Sequence, residues 1–207
     1  MNCLICGSPF QSAPTWKSLI LYEIQPNACT RCLIKFQKTD HAIDFSDFQG
    51  TVYEGMVDEV TGLYTYNAAM KNYLHQYKFM QDVALSQVFA EQLRHVFNQT
   101  EGIIVPIPMH PEKKRIRTFA QVDELLKSAG IPFQHLLTKI ATSEQGKKSR
   151  KERLEASTLF EVIGKVEAKT YILFDDIYTT GATIHQAGKA LKDLGATKVE
   201  AITLIKG

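Results

Sequence analysis

The sequence predicts an α/β domain, with a mostly parallel sheet and flanking helices, preceded by a small cysteine-rich module. Two observations support this prediction. The run from Tyr171 to Phe174 is continuously apolar, as in a parallel strand buried on both faces, and a helical pattern follows it after a short loop. All four cysteines lie within the first 32 residues, ahead of the segments with strand and helix patterns. A chain of 207 residues has room for one such domain and a small module.

The cysteines form two Cys-x-x-Cys pairs, Cys3 with Cys6 and Cys29 with Cys32, and 22 residues separate the pairs. This spacing predicts a four-thiolate zinc site of the ribbon or knuckle type. The alternatives are two disulfides or a redox dithiol, although a thioredoxin-like dithiol would follow a strand for which Cys3 leaves no room. Four thiolates close the coordination shell, so the zinc would be structural. We assign this module to residues 1–40 and expect a small hairpin between the pairs.

Residues 41–66 are predicted to form a linker and a short β-hairpin, because β-prone residues alternate there with three glycines. The segment is acidic, and no Lys or Arg occurs between Thr39 and Lys71. We interpret the acidic run as a solvated face; a lid over a substrate is the alternative.

The segment 67–207 is predicted to form the main domain. Apolar residues recur at helical spacing over 67–97, with a break near Met80. A helix that begins near Phe119 is expected to stop before Gly130. A buried strand is predicted over 102–108, a further strand over 133–138 and a parallel strand over 199–205, in addition to the run at 171–174, and regular structure is expected to resume at 160–163.

Basic residues concentrate in the middle of the main domain. Between residues 105 and 153 there are eleven Lys or Arg and five Asp or Glu, a local surplus of six. The charge lies mainly in a predicted loop and in a polar segment, at Lys113, Lys114, Arg115, Arg117, Lys147, Lys148, Arg150, Lys151 and Arg153. Such charge suits a pyrophosphate or the backbone of single-stranded DNA, and plain solvation is the alternative.

The loop after the apolar run at 171–174 lies between the carboxyl end of a strand and the amino end of a helix. Open α/β sheets bind ligands at this position, and backbone N–H groups there favour an anion such as phosphate. Gly181 lets the backbone approach a phosphate without a Cβ in the way. Asp175 and Asp176 suit ribose hydroxyls or Mg²⁺ just beyond it. A phosphorylated sugar matches both halves of the stretch, and an acidic strand–loop–helix without a ligand is the alternative.

This stretch resembles the phosphoribosyl-pyrophosphate (PRPP) motif of type I phosphoribosyltransferases, in which apolar residues and two acids precede Thr-Gly-x-Thr. The resemblance implies a type I phosphoribosyltransferase-like fold. It also implies that Asp175 and Asp176 hold the ribose of PRPP, which would bind with Mg²⁺, and that the following loop cradles the 5′-phosphate. The implied loop residues are Thr179, Thr180, Gly181, Ala182 and Thr183. No catalytic residue is assigned.

Further motifs narrow the resemblance. Val-Pro-Ile-Pro-Met-His-Pro occurs at 105–111, Arg-x-Phe-x-Gln at 117–121 and Ser-Arg-Lys-Glu-Arg-Leu at 149–154. With the four-cysteine start, these motifs are similar to those of the ComF/ComFC family of bacterial late-competence proteins over essentially the whole chain. Two departures stand out. Thr118 and Ala120 occupy positions where the family usually has Gly and Asn, and Tyr178 stands where an aliphatic residue is commoner.

The family resemblance implies a role in natural transformation, in the handling of incoming single-stranded DNA together with a ComFA-type helicase/ATPase. It implies a cytoplasmic location, at the inner face of the membrane through that partner. No apolar run in the sequence approaches the length of a membrane span. An active phosphoribosyltransferase of nucleotide metabolism, which uses PRPP and Mg²⁺, is the alternative function. A scaffold whose zinc module docks the helicase is a third reading, and it is compatible with the first.

Overall fold

Four parallel strands form the central sheet, and helices flank it. The structure is a computed structural model that describes residues 1–11, 27–39, 42–140 and 159–207. Numbered over these residues, the strands are β1 (Glu59–Thr65), β2 (Ile103–Pro106), β3 (Leu137–Lys139), β4 (Phe160–Val162), β5 (Thr170–Tyr178) and β6 (Lys198–Lys206). The α-helices are α1 (Thr30–Leu33), α2 (Ala68–Lys78), α3 (Ala90–Phe97), α4 (Pro111–Ile116), α5 (Gln121–Ser128) and α6 (Ala182–Lys192). Two 3₁₀ helices are Ser46–Phe48 and Val83–Phe89.

The sheet has the strand order β1-β6-β5-β2, and every neighbouring pair is parallel. Alternate residues of β5 belong to two apolar clusters on opposite faces. Ile172 and Phe174 pack in a cluster that contains buried residues of α2, α3 and α5, whereas Tyr171 and Leu173 pack with α6. Because both faces are covered, a continuous apolar run is the pattern that this strand requires. The predicted α/β fold with a parallel sheet and flanking helices is confirmed.

Helix α2 shows how the local sequence sets the boundaries of an element. The side chain of Asn67 accepts a hydrogen bond from the backbone N–H of Met70 at 2.9 Å, which caps the amino end. The helix ends at Lys78, close to the predicted break at Met80. Gln81 then adopts a φ of 57°, a left-handed conformation that is unusual for a residue with a side chain.

The segment 41–66, predicted to form a linker and a short β-hairpin, contributes a strand to the main sheet. Its strand, β1, pairs in parallel with β6 at the edge of the main sheet. The antiparallel pairing within the described part of this region is limited to isolated bridges, Lys38 with Tyr64 and Ala42 with Thr61. The physical reason is burial, since Val60 and Tyr64 of β1 are both nearly inaccessible and need neighbours that a two-stranded hairpin cannot supply. The division of the chain at residues 40 and 66 stays a prediction.

Two further segments differ from the sequence-based expectation. The basic segment 109–117, expected as a loop, contains helix α4, which begins at Pro111, a residue favoured in the first turn of a helix. The strand expected over 133–138 is the shorter β3, and it lies outside the main sheet. β3 pairs antiparallel with β4 in a separate two-stranded sheet.

The amino-terminal residues pack against the main domain. Leu4, Ile5 and Leu33 contact the apolar cluster on the α2 face of the sheet. The backbone N–H of Leu4 donates to the carbonyl of Asn27 at 2.9 Å, which joins the two segments that carry the cysteine pairs. The hairpin predicted between the cysteine pairs lies outside the described residues.

Candidate functional site

The two acids lie in strand β5 itself, beyond the apolar run at 171–174 after which the sequence predicted a loop. β5 continues to Tyr178, but its neighbour β2 ends opposite Phe174. The carboxyl end of β5 therefore projects past β2 and leaves open space beside Asp175 and Asp176. A cavity of about 250 Å³ occupies this space and is called the Asp175 cavity below. Its lining includes residues of α4, α5 and β3 as well as the end of β5.

A buried ion pair holds the second acid. Lys78 Nζ, at the end of α2, lies 2.6 Å from Asp176 Oδ2, and both side chains are almost nine-tenths buried. Asp175 Oδ1 accepts a hydrogen bond from the backbone N–H of Asp176 at 2.8 Å. The sequence gave no reason to place Lys78 here, since nothing local links the end of a helix to a strand nearly a hundred residues later.

The first acid is held in an environment that disfavours its charge. Burial, together with the charge of Asp176, raises the pKa of the Asp175 carboxyl to about 7, although Lys78 and Lys139 act in the opposite direction. Lys139 is also affected by its surroundings, because burial lowers the pKa of its ammonium group. A cation or a hydroxyl donor placed in the cavity would stabilise the ionised form of Asp175. The donor set, two neighbouring carboxylates at a cavity, fits Mg²⁺, which prefers oxygen ligands.

The loop after β5 has the form expected of a phosphate-binding loop. It comprises only Thr179, Thr180 and Gly181, and α6 begins at Ala182. Gly181 has a φ of +75°, and a Cβ there would collide with the ring of Tyr178 and touch Phe48, so only glycine fits. Because Gly181 is the N-cap residue and has no side chain, the N–H groups of the first turn of α6 have no side-chain cap from it. Thr179 and Thr183 line the Asp175 cavity.

Tyr178 does not enter this cavity. Its ring lies back over Gly181 and is buried, and the burial raises the pKa of its hydroxyl to about 12. The larger side chain at this position therefore packs against Gly181 and is not part of the lining of the cavity.

The basic residues predicted for the site divide into three groups. Lys113 and Arg117 line the Asp175 cavity, and His110, Lys78 and Lys139 line it as well. Lys114 and Arg115 belong to α4, and the side chain of Arg115 is exposed. The basic residues of the polar segment, Lys147, Lys148, Arg150, Lys151 and Arg153, lie outside the described residues.

The Arg-x-Phe-x-Gln motif builds one wall of the cavity. Arg117 Nη1 donates to Gln121 Oε1 at 2.8 Å, and the hydroxyl of Tyr77 donates to the carbonyl of Gln121 at 2.7 Å. Gln121 is 98% buried, and its Nε2 has no hydrogen-bond partner among the described residues. A buried donor without a partner is costly, and a ligand oxygen in the cavity would satisfy it. Thr118 and Ala120, the two departures from the family motif, leave this arrangement intact.

The four cysteines meet at one point. Their Sγ atoms all lie within 4.8 Å of one another, and Cys6 and Cys29 are 3.9 Å apart. A tetrahedral zinc with Zn–S bonds of about 2.3 Å requires Sγ atoms about 3.8 Å apart, so the group fits such an ion. The backbone N–H of Cys29 donates to Cys3 Sγ at 3.3 Å, as metal-bound thiolates often require. The cysteine group could hold a metal ion.

Sequence reasoning missed two cations of the site, Lys78 and Lys139. Each is the last residue of an element, α2 or β3, and this position was the available signal. Which helix end and which strand end would approach the acids depends on the topology. The sequence does not specify that topology locally.

Comparison with known proteins agrees with this architecture. A model of the phosphoribosyl transferase domain matches residues 83–207. The chain is 33% identical over 220 residues to competence protein ComFC of Streptococcus pneumoniae, covering 100% of both chains. It is 30% identical over 226 residues to competence protein ComFC of Bacillus subtilis, covering 99% of this chain and 94% of that one.

Solved structures give weaker matches. An adenine phosphoribosyltransferase from Leishmania tarentolae matches 63% of this chain and 74% of its own, with a TM-score of 0.38 and 15% identity. A hypoxanthine phosphoribosyltransferase from Staphylococcus aureus matches 58% and 62%, with a TM-score of 0.36 and 13% identity. Within the described residues, no helix is both long and apolar enough to cross a membrane.

Proposed function

The chain belongs to the ComFC family of competence proteins and carries a phosphoribosyl transferase domain, and from this premise we propose that it binds PRPP with Mg²⁺ in the Asp175 cavity. We further propose that it handles incoming single-stranded DNA together with a ComFA-type helicase/ATPase. The observation that supports the PRPP proposal is the meeting of two carboxylates, a glycine loop at a helix amino end and several cations at one cavity.

Each part of PRPP has a matching part of the cavity. Asp175 and Asp176 accept hydrogen bonds from the ribose hydroxyls, and Lys78 must share or release Asp176 when the ribose arrives. The loop from Thr179 to Thr183 receives the 5′-phosphate, because backbone N–H groups and threonine hydroxyls donate there. Lys113 and Arg117 offset the charge of the pyrophosphate, and Gln121 Nε2 donates to one of its oxygens.

Two metal ions enter the proposal. Mg²⁺ supplies charge neutralisation to the pyrophosphate when it is bound, and Asp175 and Asp176 are the residues of this chain that would hold it or its waters. Zinc would be held by Cys3, Cys6, Cys29 and Cys32 as a structural ion, since all four coordination positions are filled by protein.

The second candidate function is an active phosphoribosyltransferase of nucleotide metabolism. In that reaction a nucleophile forms a bond to C1 of the ribose while the bond from C1 to the pyrophosphate oxygen breaks. Such a reaction needs positioning and charge neutralisation more than a protein nucleophile. The cations Lys113, Lys139 and Arg117 beside the acids favour this candidate, because they would stabilise a departing pyrophosphate.

The proposed cellular role places the protein in the cytoplasm, at the inner face of the membrane through its helicase partner. The phosphate backbone of single-stranded DNA would contact basic residues of α4 and of the segment 147–153, with a strong dependence on salt. The zinc module is the further candidate surface for the helicase.

Calorimetric titration of PRPP with Mg²⁺ into the purified protein tests the proposal. We expect saturable binding by wild type and a loss of affinity of at least about tenfold in Asp175→Asn/Asp176→Asn, because two hydroxyl acceptors lose their charge. Asp193→Asn, at an exposed carboxylate paired with Lys189, should bind as wild type does. Absence of PRPP binding by wild type would refute the proposal.

A further inference from the structure

A second cavity adjoins the Asp175 cavity and is called the Phe79 cleft below. It has a volume of about 520 Å³ and lies between α2, α4 and the carboxyl end of β5. Apolar atoms form most of its surface. It is lined by Tyr66, Lys71, Leu74, His75, Lys78, Phe79, Lys113, Arg117, Ile177, Thr179 and Gly207.

Aromatic and aliphatic side chains are exposed in and around this cleft. Phe79 is 68% exposed and Tyr66 is 47% exposed, and Ile116 on the neighbouring α4 is 74% exposed. Isolated apolar side chains on a surface are ordinary, but several around one concave site indicate a binding surface.

The ring of Phe79 is held in place by its surroundings. Gln81, with its left-handed backbone, ties the turn after α2 to α4: its Nε2 donates to the carbonyl of Ile116 at 3.3 Å, and its Oε1 accepts from the N–H of Thr118 at 3.3 Å. Backbone conformations of this kind are strained in residues with a side chain and concentrate at functional sites. An exposed phenylalanine is thus presented on a fixed turn.

The lysine and arginine side chains of the cleft give it a cationic lining. Its lining contains Lys71, Lys78, Lys113 and Arg117 together with His75, and it includes no Asp or Glu side chain from the described ranges. The guanidinium carbon of Arg117 lies 5.6 Å from the centre of the Phe79 ring, and the His75 ring lies 5.7 Å from it. Exposed rings among cations are the combination that binds single-stranded nucleic acid, because bases stack on the rings while cations contact the phosphates.

We propose that the Phe79 cleft binds single-stranded nucleic acid, with a base stacked on Phe79 and phosphates on Lys71 and Lys113. Lys78, Lys113 and Arg117 line both this cleft and the Asp175 cavity. The nucleic acid and the pyrophosphate of PRPP therefore compete for the same cations, so that each weakens the binding of the other. The competition rests on the proposed binding of PRPP, whereas binding of nucleic acid in the cleft gives a site to the proposed handling of single-stranded DNA and can be tested without PRPP.

Fluorescence anisotropy of the full chain with a labelled oligothymidylate of about 20 nucleotides tests the cleft, because a single site spans ~4–16 nucleotides. We expect Phe79→Ala to bind at least about fivefold more weakly than wild type, since stacking on an aromatic ring is lost, and Phe79→Tyr to retain binding. The matched control is Leu194→Ala, which removes an exposed apolar side chain just after the carboxyl end of α6 and should bind as wild type does. Wild-type affinity should also fall steeply as salt is added.

Two further measurements separate this inference from the proposed function. Phe79 does not line the Asp175 cavity, so Phe79→Ala should bind PRPP with Mg²⁺ with an affinity within about threefold of wild type, a change of under ~1 kcal/mol.

Saturating PRPP should weaken the binding of oligothymidylate by wild type, and an unchanged affinity would overturn the competition. If wild type fails to bind PRPP but Phe79→Ala still loses oligothymidylate, the proposal of PRPP binding fails and the cleft stands. If wild type does not bind the oligonucleotide, or Phe79→Ala binds it equally well, the cleft is not a nucleic-acid site, and an apolar protein segment becomes its better occupant.

Discussion

Lys78 and Asp176 form an ion pair that ties α2 directly to the carboxylates of β5. Two charged side chains that are almost nine-tenths buried have lost most of their hydration, so each depends on the other. Removing one partner of such a pair leaves an uncompensated buried charge, which costs about 3–5 kcal/mol.

Replacing Lys78 by Met should therefore lower the free energy of unfolding by roughly 3 kcal/mol, near the lower end of that range because the pair is not fully buried. Urea unfolding at neutral pH measures this. The matched control is Lys189→Met, which breaks an ion pair with Asp193 of similar length on the exposed face of α6, and should cost about 0–1 kcal/mol. Equal losses in the two variants would show that burial does not distinguish the pairs.

The raised pKa of Asp175 predicts a pH dependence of stability. The carboxyl titrates near 7 in the folded protein and near ~3.9 in the unfolded chain, so between these values only the folded state holds the proton. The stability that this protonated carboxyl contributes to the folded state is fully present below about pH 4 and is lost as the pH rises through about 7. Asp175→Asn removes the titrating group and therefore this loss of stability at high pH. Its amide oxygen can still accept a hydrogen bond from the N–H of Asp176.

The melting temperature of Asp175→Asn, measured without Mg²⁺ or PRPP, should exceed that of wild type more at about pH 8 than at about pH 5. The difference should reach a few degrees, since each kcal/mol is worth about 2–4 °C in a chain of this size. The control variant Asp193→Asn should have the melting temperature of wild type at both pH values. If the difference in melting temperature between Asp175→Asn and wild type shrinks as the pH rises, the result would contradict the raised pKa.

At the scale of elements, the strand–loop–helix unit of β5 and α6 depends on Gly181. Two penalties meet there: a left-handed backbone, which costs a residue with a Cβ about 1–2 kcal/mol, and a collision of that Cβ with Tyr178. Gly130 offers the matched control, because it has a similar φ of +67° and its Cβ would meet only Arg94 at 3.6 Å.

Gly181→Ala should therefore lose more stability than Gly130→Ala and should also weaken PRPP binding by at least about tenfold, because the loop must move to accommodate the methyl group. Thermal melting and calorimetric titration measure the two effects. PRPP affinity in Gly130→Ala should be that of wild type. If Gly181→Ala binds PRPP normally, the loop does not hold the phosphate.

Some elements of the fold could be predicted from the sequence, and others could not. The strand of β5, the cysteine pairs and the loop at Gly181 follow from patterns within a few residues, and these patterns were sufficient. The placement of β1 at the sheet edge, of β3 outside the sheet, and of Lys78 against Asp176 depends on contacts between distant segments. Such contacts are set by the burial of whole faces, and single-sequence periodicity does not record which faces meet.

For the whole molecule, the cysteine group joins the amino-terminal residues to the main core. The buried Cys3 and Cys32 pack with Ile5, Leu33 and Val88, and Val88 belongs to the main domain. We expect one zinc ion per chain, and we expect its removal to lower the melting temperature, because binding of a structural metal contributes directly to folding.

Metal analysis of the purified protein and melting with and without a chelator test this expectation. Cys32→Ser should lose zinc and stability together, whereas Thr30→Ala, at an exposed position of the same helix, should retain both. Four thiols that react readily in the native protein, with no bound metal and no effect of chelator, would contradict a zinc site.

The central claim is that the cavity beside Asp175 and Asp176 is a PRPP site, and a crystal structure of the protein with PRPP and Mg²⁺ tests it most directly. We predict that the ribose hydroxyls lie within hydrogen-bond distance, about 2.5–3.0 Å, of the two carboxylates. The 5′-phosphate should lie at the amino end of α6, and the pyrophosphate should lie beside Lys113 and Arg117. A ligand bound elsewhere, or a cavity that stays empty at saturating PRPP, would contradict the account.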